Sequence, residues 1–283
     1  MIEAQARMGT IGAPRPTPVV SIVIPCFAQA EFLPGAITSV ERQTRQDWEL
    51  IVVDDGSPDD TADVAKEALA KLGPKGRLIR QVNAGVATAR NVGIAAARGT
   101  YIVPLDADDV LYPDFLRRTI GLLETRQSNC IAYTDYEMFG SVNRIVRVPE
   151  FDFDGLTRSN HILNTAAYPR TAWAEAGGYN PNLTLAFEDW DFWISCAEHG
   201  YLPQRIPEVL MGYRIQPGSR NDRTASERRA MTALVHANHP ALYTWRGGLV
   251  RRLRRLPRNA VRHFNRALSR LSGGRMNVPP EPW

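Results

Sequence analysis

Two apolar periods alternate along the first half of the chain. Residues 19–25 (VVSIVIP) are a β-branched run and residues 48–53 (WELIVV) a second largely apolar one, each with a single polar residue. Such runs predict strands buried on both faces of a parallel sheet. Residues 77–81 and 101–105 (YIVPL) predict two more strands. Between them the period lengthens. Phe32, Leu33, Ile37 and Val40 recur at helical spacing within residues 31–43, and residues 61–72 place alanines and leucines on one face. Residues 87–97 predict a helix of small side chains, and residues 113–125 a further helix.

Short strands alternating with helices predict βαβ units and an α/β fold, a mainly parallel sheet covered on both faces. In such sheets ligands sit beyond the carboxyl ends of the strands. From about residue 130 the pattern is less regular. Strands are expected over residues 131–137 and 144–148, an aromatic-rich helix over 188–199, and a helix over 226–237. Residues 1–17 lack the apolar core of a signal peptide and read as a disordered leader. Residues 220–227 read as a polar linker. The expected organisation is a leader (1–17), a main domain (18–219) and a helical, arginine-rich C-terminal extension (220–283).

The formal net charge of +4 conceals an asymmetry. Residues 246–275 hold ten arginines and no acid, so the rest carries 24 basic against 30 acidic residues, a net −6. Leucines at three- to four-residue spacing make the arginine-rich stretch amphipathic. It suits peripheral contact with an anionic membrane surface, or packing against the main domain or a second subunit. Nucleic acid is not an expected partner, because basic residues are not spread over a binding face. Cys26, Cys130 and Cys196 form no CxxC pair, which argues against a zinc site or disulfide framework and for a reducing, cytoplasmic compartment. No run of about eighteen apolar residues predicts a transmembrane helix.

Acidic clusters carry the candidate chemistry. Residues 105–109 (LDADD) follow a buried strand, where crowded carboxylates repel one another unless a cation compensates them. Mg²⁺ and Mn²⁺ prefer oxygen ligands and share them with substrate phosphates. The alternative is that Asp108 or Asp109 caps a short helix. Residues 53–57 (VDDGS) again place acids after a strand; they suit hydrogen bonds from a base or ribose, or a plain strand-to-helix turn capped by Asp59, Asp60 or Thr61. In residues 81–93 small side chains allow close backbone approach to a ligand, and Arg90 could meet a phosphate; helix–sheet packing is the alternative. Residues 187–193 (FEDWDFW) interleave three acids with aromatics. A carboxylate against aromatic walls has a raised pKa, which suits a general base, and Trp190 or Trp193 could stack on a sugar. The alternative is acids complementing a helix dipole above a core aromatic stripe.

In order, SIVIPCF, VVDDGSPDDT, NAGVATARNVG, YIVPLDADDVLYPD, GGYN and FEDWDFW resemble the family 2 glycosyltransferases, over roughly residues 18–219. The resemblance implies the GT-A (Rossmann-like) fold, with a nucleotide-binding half at about 18–110 and an acceptor-binding half at about 111–219. It implies inverting, metal-dependent transfer from a nucleoside diphosphate sugar, often a UDP-sugar, to a glycan, lipid-linked or other hydroxyl acceptor. Pro25 and Phe27 would line the nucleotide pocket. Asp55 would contact the base, with Asp54, Asn83 and Arg90 close to the nucleotide sugar. Asp106 would hold the ribose or assist the metal, and Asp108 would ligate Mn²⁺ or Mg²⁺. Asp189 would be the general base, with Glu188 the next candidate, and Trp190 and Trp193 would meet the acceptor.

Two departures stand out. Family members often carry a histidine where this chain has Gln216, and the QxxRW motif of processive members is absent, which favours addition of a single sugar. The rival classes are a metal-dependent nucleotidyltransferase, a catalytically degenerate nucleotide-sugar-binding module and a nucleic-acid binder acting through its basic tail. The first lacks a basic phosphate loop in residues 25–35, the second would have lost an acid among Asp106, Asp108 and Asp189, and the third leaves the acidic clusters unexplained.

Overall fold

β1 (Val20–Cys26) is buried along its whole length, as its largely apolar run requires. β2 (Trp48–Asp54) pairs with it in parallel on one side and β4 (Tyr101–Pro104) on the other. β3 (Gly76–Arg80) extends the sheet beyond β2, and the short antiparallel β8 (Tyr168–Pro169) closes it beyond β4, giving the order β3-β2-β1-β4-β8. The structure, a computed structural model, describes residues 18–125, 129–216 and 225–243.

Successive strand residues face opposite sides of a sheet, and β1 divides accordingly. Ile22 and Ile24 join Leu33, Ile37 and Val40 of α1 (Leu33–Glu41), together with residues of α2 (Thr61–Lys71) and α4 (Phe115–Thr125). Val23 faces the other core, with Ala89 and Ile94 of α3 (Val86–Ala95) and Phe192 and Trp193 of α7 (Glu188–Glu198). The small residues of α3 have a steric cause. A Cβ on Gly93 would lie 2.4 Å from Val23 Cγ1, so this helix rests almost directly on β1.

The second half holds a further sheet, of which the pattern announces β6 and β7 but not β5 or β9. β5 (Val110–Leu111), β6 (Cys130–Gly140), β7 (Arg144–Val146) and β9 (Leu202–Ile215) assemble in the order β5-β9-β6-β7. β6 and β9 pair in parallel along their length, with a register shift around Asp135. Pro203 and Pro207 interrupt the apolar pattern of β9 and remove two ladder donors. Asp135 is fully buried at the shift and accepts hydrogen bonds from Arg205 Nε and Nη2 (2.8 Å each), Arg147 Nη1 and the Val148 amide.

α5 (Phe153–Leu156) and α6 (Arg170–Glu175) frame the path to α7, and α8 (Ala225–Asn238) and α9 (Pro240–Tyr243) follow. Asn238 Nδ2 donates to Asp191 Oδ1 at 2.8 Å, and buried His239 sits 2.7 Å from Glu198 Oε2. Burial opposes the charge on His239, but bonds to Asp191 and Glu198 outweigh it and raise its pKa to about 9. His236 stacks on Tyr243 and His199 bonds the Ser195 carbonyl. The three cysteines are buried and form no disulfide among the described residues. Among the described residues no helix is long and apolar enough to cross a membrane. The leader at 1–17, most of the expected linker at 220–227 and the arginine-rich stretch at 246–275 lie outside the described residues.

Candidate active site

The carboxyl ends of β1, β2 and β4 converge on the acidic segments. Asp54, the last residue of β2, is fully buried. Its carboxylate accepts from the Ser57 amide (3.0 Å) and Arg80 Nε (3.0 Å), so it braces the turn and does not face a nucleotide. Asp55 accepts from Gln81 Nε2 (2.7 Å) and from the amides of Ala84 and Gly85 (2.9 Å each), shaping the 81–85 loop. Gly56, at φ +74°, permits the close approach of that loop, since a Cβ there would lie 2.9 Å from the Asn83 nitrogen. Of the other residues expected near the nucleotide, Phe27 is 46% exposed and Asn83 is exposed. Pro25 is buried in β1 opposite Val53, so it presents no ring face to a ligand.

The segment joining β1 to α1 is fastened to the start of α2. The Ala28 amide donates to Ser57 Oγ (3.0 Å) and the Gln29 amide to Thr61 Oγ1 (2.9 Å). Asp59 accepts from the Thr61 amide and hydroxyl, taking the capping role, whereas Asp60 makes no side-chain cap. Ala28 adopts φ 52°, left-handed backbone that a Cβ disfavours.

No helix follows residues 106–109, so the capping alternative for Asp108 and Asp109 falls; β5 comes next, and both residues engage the end of β9. Asp109 is buried and accepts the Arg214 amide at 2.9 Å. Arg214 Nε donates to the Asp108 carbonyl (3.0 Å), while its guanidinium lies between the rings of Phe32 and Phe139. Gln216 Nε2 donates to Asp108 Oδ2 at 3.2 Å, which puts the residue standing in the histidine position on the acidic loop. Burial first, and then the neighbouring Asp106, push the Asp108 carboxyl above its ordinary range; burial with Asp106 and Asp108 does the same more strongly to Asp109.

Arg90, expected close to the nucleotide sugar, is buried among acids. Its side chain is 2% exposed, and it pairs with Asp106 Oδ1 (2.7 Å) and Glu188 Oε1 (2.8 Å). The Asn164 amide, with its oxygen toward Arg90, accepts from Nε and Nη2 at 3.2 Å, and the Tyr179 ring lies 5.4 Å from the guanidinium. Burial opposes its charge, but Asp106 and Glu188 more than compensate and its pKa is raised. Arg90 is therefore a buried organiser of the acids, with no surface to offer a phosphate. Glu188, expected as the reserve base, is buried and held in an ion pair by Arg90. Asn91 is structural too: its Oδ1 accepts from Trp173 Nε1 and the Tyr179 amide (2.9 Å each), and its Nδ2 donates to the Tyr179 carbonyl. A Cβ on Gly178 would collide with that Oδ1 at 2.8 Å, which explains the glycine directly before Tyr179.

Asp106 and Asp189 remain accessible within this frame. The Asp106 side chain is 33% exposed. Asp189, half-buried in the first turn of α7, accepts from Asn160 Nδ2 at 2.9 Å and from the Trp190 amide at 2.8 Å. Burial, then the neighbouring Glu188 carboxylate, raise its pKa to about 7. The aromatic walls are core, and Trp190 and Trp193, expected to meet the acceptor, lie within it. Trp190 is 3% and Trp193 0% exposed, with their indole N–H groups donating to the Leu156 and Ile162 carbonyls. Neither ring has a face for a sugar. Asn160 and Asn164 were missed from the sequence, where isolated asparagines in an irregular segment carry no signal.

Comparison with known proteins identifies the family and the fold. A sequence family described as glycosyl transferase family 2 matches residues 21–188. A PGL/p-HBAD biosynthesis glycosyltransferase of Mycobacterium bovis is 34% identical over 196 residues, which cover 69% of this chain and 75% of that one. The chondroitin synthase of Escherichia coli is 29% identical over 187 residues, 65% of this chain and 27% of that one. Among solved structures, S. aureus TarS 1-349 in complex with UDP-GlcNAc matches with a TM-score of 0.66 at 14% identity, covering 80% of this chain and 67% of that one. The likeness shows a shared GT-A fold.

Proposed function

The chain belongs to glycosyl transferase family 2 and is a glycosyltransferase, and from that premise we propose that it moves one sugar from a UDP-sugar to a hydroxyl of a glycan or lipid-linked acceptor, inverting the anomeric carbon. The observation that carries this reading is the placement of Asp106 and Asp189 on either side of the buried Arg90–Glu188 pair, at the carboxyl edge of the sheet. The complexes of TarS with UDP and UDP-GlcNAc support the choice of donor at the level of the fold. Under this reading residues 18–110 hold the nucleotide, with Phe27 and Asn83 at the rim and Asp55 beneath, and residues 111–219 hold the acceptor.

A divalent cation, Mn²⁺ or Mg²⁺, fits Asp106 and Asp108. Asp106 Oδ2 has no hydrogen bond among the described residues, while Oδ1 is anchored by Arg90. Asp108 is strained electrostatically by burial and by Asp106, a repulsion that a cation relieves. Among the described residues no group of three or more His, Cys, Asp or Glu side chains is arranged to hold a metal. Two carboxylates supplemented by diphosphate oxygens and water match the habits of Mg²⁺. Bound there, the cation would neutralise charge on the departing diphosphate.

The chain's own residues do the rest. Arg90 orients Asp106, and Arg214 and Gln216 hold residues 108 and 109 in place. Asp189, with a pKa near neutrality, takes the acceptor hydroxyl proton as that oxygen bonds to the anomeric carbon. The bond from that carbon to the diphosphate oxygen breaks on the opposite face, and the proton remains on the Asp189 carboxyl group.

Calorimetric titration of UDP with and without Mn²⁺, followed by hydrolysis and transfer assays over a panel of nucleotide sugars, tests the reading. Asp108→Ala should lose the metal-dependent part of UDP binding; Asp189→Asn should bind UDP as before and lose transfer. Transfer by Asp189→Asn at the wild-type rate would remove the base assignment. No binding or turnover with any donor would return the chain to a binding-module role.

A further inference from the structure

Asn160 lies between α5 and β8, in a segment held to α7 by two indoles. Trp190 Nε1 donates to the Leu156 carbonyl at 2.6 Å and Trp193 Nε1 to the Ile162 carbonyl at 3.2 Å. Between these struts, Asn160 Oδ1 accepts the Ile162 amide at 3.1 Å. That bond fixes which end of the side-chain amide faces inward, so Nδ2 points at α7 and donates to Asp189 Oδ2 at 2.9 Å. The other carboxylate oxygen, Oδ1, accepts the Trp190 amide. The nearby cation, Arg90, is engaged by Asp106 and Glu188. Asn160 is therefore the side chain that sets the orientation of the Asp189 carboxylate.

We propose that Asn160 is a positioning residue for sugar transfer, aiming the Asp189 carboxylate and favouring its ionised form. The proposal rests on the reading of Asp189 as the base. A hydrogen bond donated to a carboxylate stabilises the anion over the neutral acid. Burial, Glu188 and Asp106 push the other way, while Arg90 and the Trp190 amide also favour the anion. Without the Asn160 donor the group would hold its proton to higher pH and rotate about its side-chain torsion.

The test is a carboxyl ¹³C NMR titration of the full chain labelled at aspartate, with the Asp189 signal assigned by its loss in Asp189→Asn. Asn160→Ala should raise the Asp189 midpoint by about one pH unit, the size expected on losing one charge-assisted hydrogen bond. In transfer assays the acidic limb of the rate profile should move the same way. The rate lost at neutral pH should return at higher pH, with the donor KM unchanged. Asn160→Ser covers the case in which Asn160→Ala does not fold, because its hydroxyl can still accept the Ile162 amide but is too short to reach Asp189. An unmoved midpoint in the folded variant overturns the proposal, even if the rate falls, because the role is then only structural. A moved midpoint with wild-type transfer by Asp189→Asn overturns the base reading instead and leaves the tuning of the carboxylate standing.

Discussion

Arg90 and Asp106 are joined by a 2.7 Å bond from Nη2 to Oδ1, and the same guanidinium grips Glu188 through Nη1. One buried cation thus links the loop after β4 to the first turn of α7, the two places where the acids of the site reside. The pair is more than a stability device, because it decides which oxygen of Asp106 remains free to meet a ligand.

Replacing Arg90 by methionine should therefore be severe. Removing one member of a buried ion pair leaves the other charge uncompensated, at a cost of roughly 3–5 kcal/mol. Urea unfolding of Arg90→Met should show a loss of that order, and a variant of near wild-type stability would contradict the buried clamp.

Transfer should depend on pH in one direction. Asp189 acts as a base only when ionised, and burial with Glu188 holds its pKa up at about 7. The rate should fall as pH drops through that value and level off above it. A kcat profile that stays flat from about pH 5 to pH 8 would rule out an ionisation of this kind at the base.

Trp193 should matter for stability and not for acceptor affinity. Its ring is fully buried and its indole N–H holds the Ile162 carbonyl. Trp193→Ala should cost about 3–5 kcal/mol, measured by chemical denaturation. Trp193→Phe should keep the acceptor KM within error while lowering the melting temperature. A large rise in that KM at wild-type stability would restore a sugar-stacking role.

Ala28 offers a gain. An alanine at φ 52° bears a left-handed backbone that asparagine tolerates better. The residue is exposed, so a longer side chain has room. Ala28→Asn should raise unfolding free energy by up to about 1 kcal/mol, read from the shift in denaturation midpoint.

Much of the first sheet was legible in the chain because it is local. The runs at β1 and β2 are apolar on both faces, and each is followed within a few residues by its helix. β9 was not legible: its partner β6 lies about seventy residues earlier, and its two prolines hide the period. The acids were legible as a set, since carboxylates after buried strands demand an explanation. Their division of labour was not. Asp54 and Asp106 both follow strands, yet one faces Arg80 and a turn amide while the other keeps an oxygen open. The sequence left Trp190 open between a cleft wall and a core aromatic, because an aromatic beside an acid looks alike in both; its burial and its bond to the Leu156 carbonyl place it in the core.

The bonds from Arg214 and Gln216 to residues 108 and 109 span more than a hundred positions of chain. A ribosome delivering this protein has released β1 to β4 long before it delivers the end of β9. The nucleotide-side sheet can form early, but its acidic loop acquires its final walls only after residue 216 emerges. Nascent chains stopped before that point should possess the scaffold without a finished pocket.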